Sequence, residues 1–231
     1  MYTRWLNALK KTNLFENIDD DELKRMLFCL KPKIMVYKKK KVITIAGDNF
    51  TGIGIVLQGE VIISKENELG DKAIMAKLEE GNIFGEMIAF SDRSRWHVTI
   101  VASKECTVLF LPAEKIIGNC PRMCIGHKVL IQNMLKIVSH KALGLDRRIE
   151  YLTMKNIRNK ISSYLLEQYN IRGKSKFSIH LNRNELAEFL NVSRPSLSRE
   201  LIKMQKEGII EFYKSSFKII DLEKLKLGTV N

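Results

Sequence analysis

No apolar run in these 231 residues is long enough to cross a bilayer, and no signal peptide opens the chain. A cytoplasmic protein with no membrane partner is expected. Cysteine is scarce, with four residues at Cys29, Cys106, Cys120 and Cys124. In a reducing compartment they are expected as thiols, which excludes a disulfide scaffold. Catalytic signatures are missing as well: there is no Walker loop, no Gly-x-Ser-x-Gly and no metalloprotease histidine pair. Glu86 has no evident partner for acid–base chemistry, so no enzyme and no metal site are expected. Acidic residues are outnumbered 26 to 39 by Lys and Arg, and the net charge of +13 calls for an anionic partner.

That excess is uneven. Residues 1–140 carry 21 basic and 16 acidic side chains, while 141–231 carry 18 and 10. The smaller half is the more basic, which favours nucleic acid over a membrane surface. Within it lies LNRNELAEFLNVSRPSLSR, Leu181 to Arg199. Asn182, with Glu185 three residues on, forms a variant capping box. Leu186, Phe189 and Leu190 share one helical face. Asn191-Val192 suits a turn, Ser193 caps a second helix, and Pro195 sits in its first turn, where no intrahelical N–H is lost. Leu197, Leu201 and Met204 then face inward, and Gly208 ends the helix. Arg194, Ser198 and Arg199 remain outward near the N-terminal end. Two short helices so arranged predict a helix-turn-helix, whose second helix enters the major groove of duplex DNA. Arginine reads guanine O6 and N7 with two bonds, which suits Arg194 and Arg199 to base readout. Ile209–Phe212 and Phe217–Ile220 flank Tyr213-Lys214-Ser215-Ser216 and predict a hairpin, the wing. An ordinary helical hairpin with a solvated basic face is the plainer reading, but caps, turn, arginines and wing agree against it.

The front half predicts an antiparallel β-roll. Short apolar strands punctuated by glycine run from Val42 to Leu111: Val42–Ile45, Gly52–Leu57, Val61–Ile63, Ala73–Leu78, Val98–Val101 and Thr107–Leu111. A helix with an acidic first turn is predicted before it, Asn17 to Leu30. A long helix starts around Cys120-Pro121 and runs to about Leu152. Ile131, Leu135, Val138, Ala142, Leu145, Ile149 and Leu152 form a coiled-coil stripe along it, implying a homodimer. Leu130, Met134 and Ile137 form a second edge suited to packing on the roll. The expected division is a β-roll sensing domain at 1–118, a dimerisation helix at 119–152 and a winged helix-turn-helix at 153–231. The fold class is therefore α+β.

In this order the parts resemble the catabolite-activator and fumarate-nitrate-regulator (Crp/Fnr) family of bacterial transcription regulators over nearly the whole chain. GNIFGEMIAFSDRSRWHVTIVAS, Gly81 to Ser103, looks like the phosphate-binding cassette of cyclic-nucleotide domains with a jelly-roll fold. SRPSLSRE, Ser193 to Glu200, looks like the family's recognition helix. The resemblance implies a homodimeric transcription regulator on a palindromic operator, controlled by a small-molecule effector in the roll and working with RNA polymerase. It implies base contacts from Arg194 and Arg199 and phosphate contacts from Arg183, Ser193, Ser196 and Ser198. Pro195 replaces the family's glutamate and has no acceptor, so the operator should depart from the family's best-known half-site. In the cassette the resemblance implies effector contacts from Gly85 and Glu86. Trp96 and His97 hold the places of the phosphate arginine and the small polar residue after it. Arg95 lies one residue early, and a slip in the loop before it is the way it reaches the site. A second expectation is that Trp96 itself fills the pocket. Leu145 falls where the family meets the adenine and cannot hydrogen-bond to it.

Cyclic AMP is therefore disfavoured, and another nucleotide, a different small molecule or no ligand stay open. The cofactor is unassigned. An iron–sulfur cluster is disfavoured because only Cys29 lies near the N-terminus. Haem on His97 or His140 is disfavoured because a lone histidine is usually structural. Cys120 and Cys124 lie four apart, a spacing for a redox pair or, with His127, for a metal, but small buried hydrophobes are the plainer reading. The rival function is a cyclic-nucleotide-binding regulatory module that works through protein contacts.

Overall fold

The computed structural model describes residues 2–66, 72–117 and 125–229. It divides into two compact units, residues 1–140 and 141–231.

The first unit contains two four-stranded antiparallel sheets. Strands β1 (Lys33–Tyr37), β8 (Cys106–Leu111), β3 (Ile53–Gln58) and β6 (Ile83–Phe84) make one, in the order β1-β8-β3-β6. Strands β2 (Val42–Thr44), β7 (Thr99–Ala102), β4 (Glu60–Glu66) and β5 (Lys72–Glu79) make the other, in the order β2-β7-β4-β5. The roll is as the sequence predicts, but β1 and the two-residue β6 are additional strands. The five residues of β1 stand before the lysine run at 38–41, and their burial is too slight to leave a clean alternation.

Strands β3 and β8 of the first sheet are buried on both faces, which is why they read as continuous apolar runs. Val56, Val108 and Phe110 point into the roll, beside Val61, Ile100 and Trp96. Ile53, Ile55, Leu57, Leu109 and Leu111 point the other way. There they meet the helices α1 (Leu6–Lys10), α2 (Asp20–Leu30) and α4 (Ala113–Ile117), and the start of α5 (Ile125–Thr153). The amphipathic N-terminus thus contributes Leu6 and Leu9 to a core. Helix α2 begins three residues later than the sequence predicts. Asn17 is in a left-handed conformation (φ 59°), and Asp19 takes the cap by accepting from the Glu22 N–H at 2.8 Å.

Along α5, Leu130 and Met134 are buried in this second core, with Ile137 packed at its edge. Ile131 and Val138 of the proposed stripe also lean on that core. Leu135, Leu145 and Ile149 do not, being 63, 50 and 58% exposed. The predicted start of this helix, with Cys120 and Cys124, lies outside the described residues. His127 Nε2 lies 2.9 Å from the Lys115 carbonyl.

The second unit holds α6 (Ile157–Arg172), β9 (Lys176–Ser178), α7 (Arg183–Phe189), α8 (Arg194–Lys206), the hairpin β10 (Ile210–Tyr213) and β11 (Ser216–Ile219), and α9 (Leu222–Leu227). Strand β11 also pairs with β9, so the wing is a three-stranded sheet. Its core gathers Ile161, Leu165, Leu186, Leu190, Leu197, Leu201, Met204 and Phe217. Among the described residues no helix is long and apolar enough to cross a membrane.

Candidate nucleic-acid interface

Helices α7 and α8 form as their sequences dictate. Asn182 Oδ1 accepts from the Asn184 and Glu185 N–H groups, and Glu185 Oε2 accepts from the Asn182 N–H at 2.8 Å. Both halves of the capping box are present. Asn191 makes the turn at φ 50°, a conformation asparagine tolerates better than most residues. Ser193 caps α8 by accepting from the Ser196 N–H. Leu197, Leu201 and Met204 are fully buried. That rotation leaves Arg194, Pro195 and Arg199 exposed, with Ser196 and Ser198 half-exposed beside them. The Arg199 guanidinium lies 3.4 Å from Ser196 Oγ, at the limit of a hydrogen bond. A short polar face bearing two arginines at the positive end of a helix is suited to the edges of bases and to phosphates.

Two residues behind this face escape a reading from the sequence. Arg158 on α6 donates to Glu200 Oε1 at 2.6 Å and to both carboxylate oxygens of Glu207 at 2.7 and 2.9 Å. It therefore fastens α8 at two points about two turns apart. Lys160 is buried and donates to the carbonyl of Leu190, the C-cap of α7, at 3.1 Å. Asn156 and Gly173 mark the ends of α6 as its caps but carry no information about these two partners. Replacing Arg158 by Met should leave Glu200 and Glu207 without this partner. About 2 kcal/mol of stability should be lost, the scale of charged hydrogen bonds at a partly exposed site. An unchanged midpoint in urea unfolding would contradict that role.

Arg183 is half-buried, and its position differs from a free phosphate clamp. Its guanidinium donates to the Lys214 carbonyl at 3.0 Å and lies over the rings of Phe212 and Phe217 at 5.0 and 5.7 Å. Burial, and then the charge of Arg194, lower its pKa.

In the roll, the cassette residues meet around an aromatic side chain. Gly85 adopts φ 85°, and a Cβ there would come within 2.8 Å of the Trp96 ring. Trp96 is 3% exposed, with its ring 4.8 Å from Phe50 and 6.0 Å from Phe84. Glu86 opens the short helix α3 (Glu86–Ala89) and is buried. The register slip that would bring Arg95 into the site does not occur. Trp96 N–H donates to the Asp48 carbonyl and Gly47 N–H to the Trp96 carbonyl, which pins the strand. Arg95 is exposed and donates to the Gly47 carbonyl at 2.9 Å. His97 is exposed too, its pKa lowered by desolvation and then by Arg93 and Lys65. A cyclic phosphate does not fit this arrangement: indole occupies the space over Gly85, and Arg95 is turned outward on the Gly47 carbonyl. Leu145 is half-exposed on α5.

A β-roll in one unit and a winged helix-turn-helix in the other are the parts of a DNA-binding regulator. Sequence models agree with both halves. The cyclic nucleotide-binding domain matches residues 34–119, and the Crp-like helix-turn-helix domain matches 159–227. The Cyclic AMP receptor protein of Thermus thermophilus is 22% identical over 223 residues, covering 95% of this chain and 99% of its own length. Electron transport regulator A of Shewanella oneidensis is 22% identical over 188 residues, covering 79% and 72%. The solved Thermus thermophilus Catabolite Activator Protein shares the fold with a TM-score of 0.54 at 22% identity, covering 94% and 98%. DNR from Pseudomonas aeruginosa does so with 0.50 at 21%, covering 98% of each chain. The chain belongs to the Crp/Fnr family of transcription regulators, and it is a helix-turn-helix DNA-binding regulator. The reading as a module working only through protein contacts is the less supported one.

Proposed function

We propose that the protein is a cytoplasmic, non-enzymatic homodimer that reads a palindromic operator and adjusts transcription by RNA polymerase. The outward pair Arg194 and Arg199 on a capped, firmly seated helix carries this reading. Arg194 and Arg199 choose sequence, while Ser193, Ser196 and Ser198 hold the helix end against the phosphates. The dimer seam runs along Leu135, Ala142, Leu145 and Ile149, whose side chains are exposed on α5, with Ile131 and Val138 at its edge. An apolar seam of this length on one helix needs a second copy to cover it. Two copies place their recognition helices in successive major grooves, about one turn of DNA apart.

The signal is not a cyclic nucleotide. Trp96 fills the cradle formed by Gly85 and Glu86, with Arg95 and His97 outside it, and so holds the roll in a ligand-free but filled form. Cyclic AMP and cyclic GMP should give no binding heat with the purified protein. A micromolar isotherm with either would overturn this part of the reading.

The dimer is tested by Leu145→Glu combined with Ile149→Glu. The variant should run as a folded monomer in light scattering and lose at least about a hundredfold in operator affinity, since two linked half-site contacts become one. A variant that stays dimeric would move the seam elsewhere.

A further inference from the structure

Arg147 and Tyr151 lie near the end of α5, in the compact unit that holds the reading head. Residues 141–150 are all exposed, yet Tyr151 is 2% exposed. Its ring lies 6.3 Å from Tyr164 of α6 and 5.4 Å from Phe189, the last residue of α7. Tyr164 and Phe189 lie 5.6 Å from each other, and all three pairs meet edge to face, a favourable geometry for aromatic rings. The Tyr151 phenol donates to Glu167 Oε2 of α6 at 2.7 Å, and Arg147 pairs with Glu167 Oε1. One carboxylate thus receives two bonds from α5, both of them charge-assisted. Burial first, and then Glu167, raise the pKa of Tyr151, so the phenol stays a donor.

The chain between these helices is short: three residues, 154–156, join α5 to α6. Such a joint allows two helices to pivot unless side chains fix them. Rings turn against one another at little cost, whereas two bonds to one planar carboxylate set an angle. With about 100° of turn per residue, Leu145 and Ile149 fall on one face of α5 and Arg147 and Tyr151 roughly opposite. The end of α5 is therefore a bar with the apolar seam on one side and the reading head on the other. In a dimer the separation of the two recognition helices depends on how firmly each head is fixed to its bar.

We propose that Arg147, Tyr151 and Glu167 are positioning residues that lock the reading head to the dimer helix and so decide which spacing of half-sites the protein accepts. The inference rests on the dimeric reading of a palindrome and adds what sets its geometry.

The test measures the affinity of full-length protein for three duplexes. They are the inverted repeat selected by the wild-type protein, the same repeat with one base pair added at its centre, and a single half-site in random sequence. The added pair moves the half-sites apart by about 3.4 Å and turns them by about 34°. Wild type should lose at least about thirtyfold on the longer repeat, because a rigid pair no longer reaches both half-sites. Tyr151→Phe keeps the ring and removes its bond. Combined with Arg147→Met, it should cut that loss to about threefold, with affinity for the single half-site within about twofold of wild type. Glu167→Gln, which leaves both α5 side chains in place, should shift the preference in the same direction, and it serves if the double variant does not fold. An unchanged spacing preference in the folded variants would show that the cluster only stabilises the head, and would overturn the proposal. Wild type that binds both repeats equally would overturn it too, while leaving the dimeric reading intact. Wild type that binds the single half-site as tightly as the repeat would remove that reading as well.

Discussion

Trp96→Ala should lower stability by about 3–5 kcal/mol, the range for removing a large aromatic from a packed core. The expectation follows from its surroundings. The ring is 3% exposed, contacts Phe50 and Phe84, and lies so close to Gly85 that a Cβ there would collide with it. The variant leaves a cavity in the roll beside Gly85. The strand cannot collapse into it, because both sides of Trp96 are held by backbone bonds to Gly47 and Asp48. Chemical denaturation checks this as a fall in midpoint at unchanged slope. A loss below about 1 kcal/mol would show that the ring is not a structural filler.

Arg199→Ala should abolish operator preference. A bidentate contact to a base contributes roughly 1–3 kcal/mol of discrimination, so two half-sites together lose about 2–6 kcal/mol. That is at least about thirtyfold in specific affinity. Random-sequence DNA, held mainly by phosphates, should bind within a few-fold of wild type. The side chain is free for this work: it is exposed, and its nearest partner is Ser196 Oγ at 3.4 Å. Equal losses on both DNAs would mean that Arg199 contributes charge but does not read sequence. Pro195 beside it brings no acceptor, so the base pair it faces should tolerate change.

What could be read in advance follows a physical divide. The helix-turn-helix was legible because its determinants are local. The Asn182–Glu185 capping box, the Asn191 turn, the Ser193 cap and the Leu197–Leu201–Met204 stripe all act within a few residues. The roll was legible where its strands alternate with glycine turns, and β1 was missed because its burial pattern is shallow. Register was the harder matter. Whether Arg95 or Trp96 faces the cradle depends on cross-strand bonds to Gly47 and Asp48, separated by almost fifty residues in sequence. Arg158 and Lys160 gave no sign of their roles, because Glu200, Glu207 and Leu190 lie 30 to 49 residues away. Arg183 shows the same limit from the other side. Its position in the motif suggested a phosphate, but its partners on the wing come from residues 212 to 217.

The central claim is that two copies of this chain read a palindrome through Arg194 and Arg199 without a nucleotide bound. Selection of genomic fragments on purified, ligand-free protein at moderate salt tests it most directly. The account predicts enrichment of an inverted repeat with half-site centres about one helical turn apart. It also predicts loss of that enrichment with Arg199→Ala. Fragments recovered without any shared sequence, at undiminished yield, would contradict it.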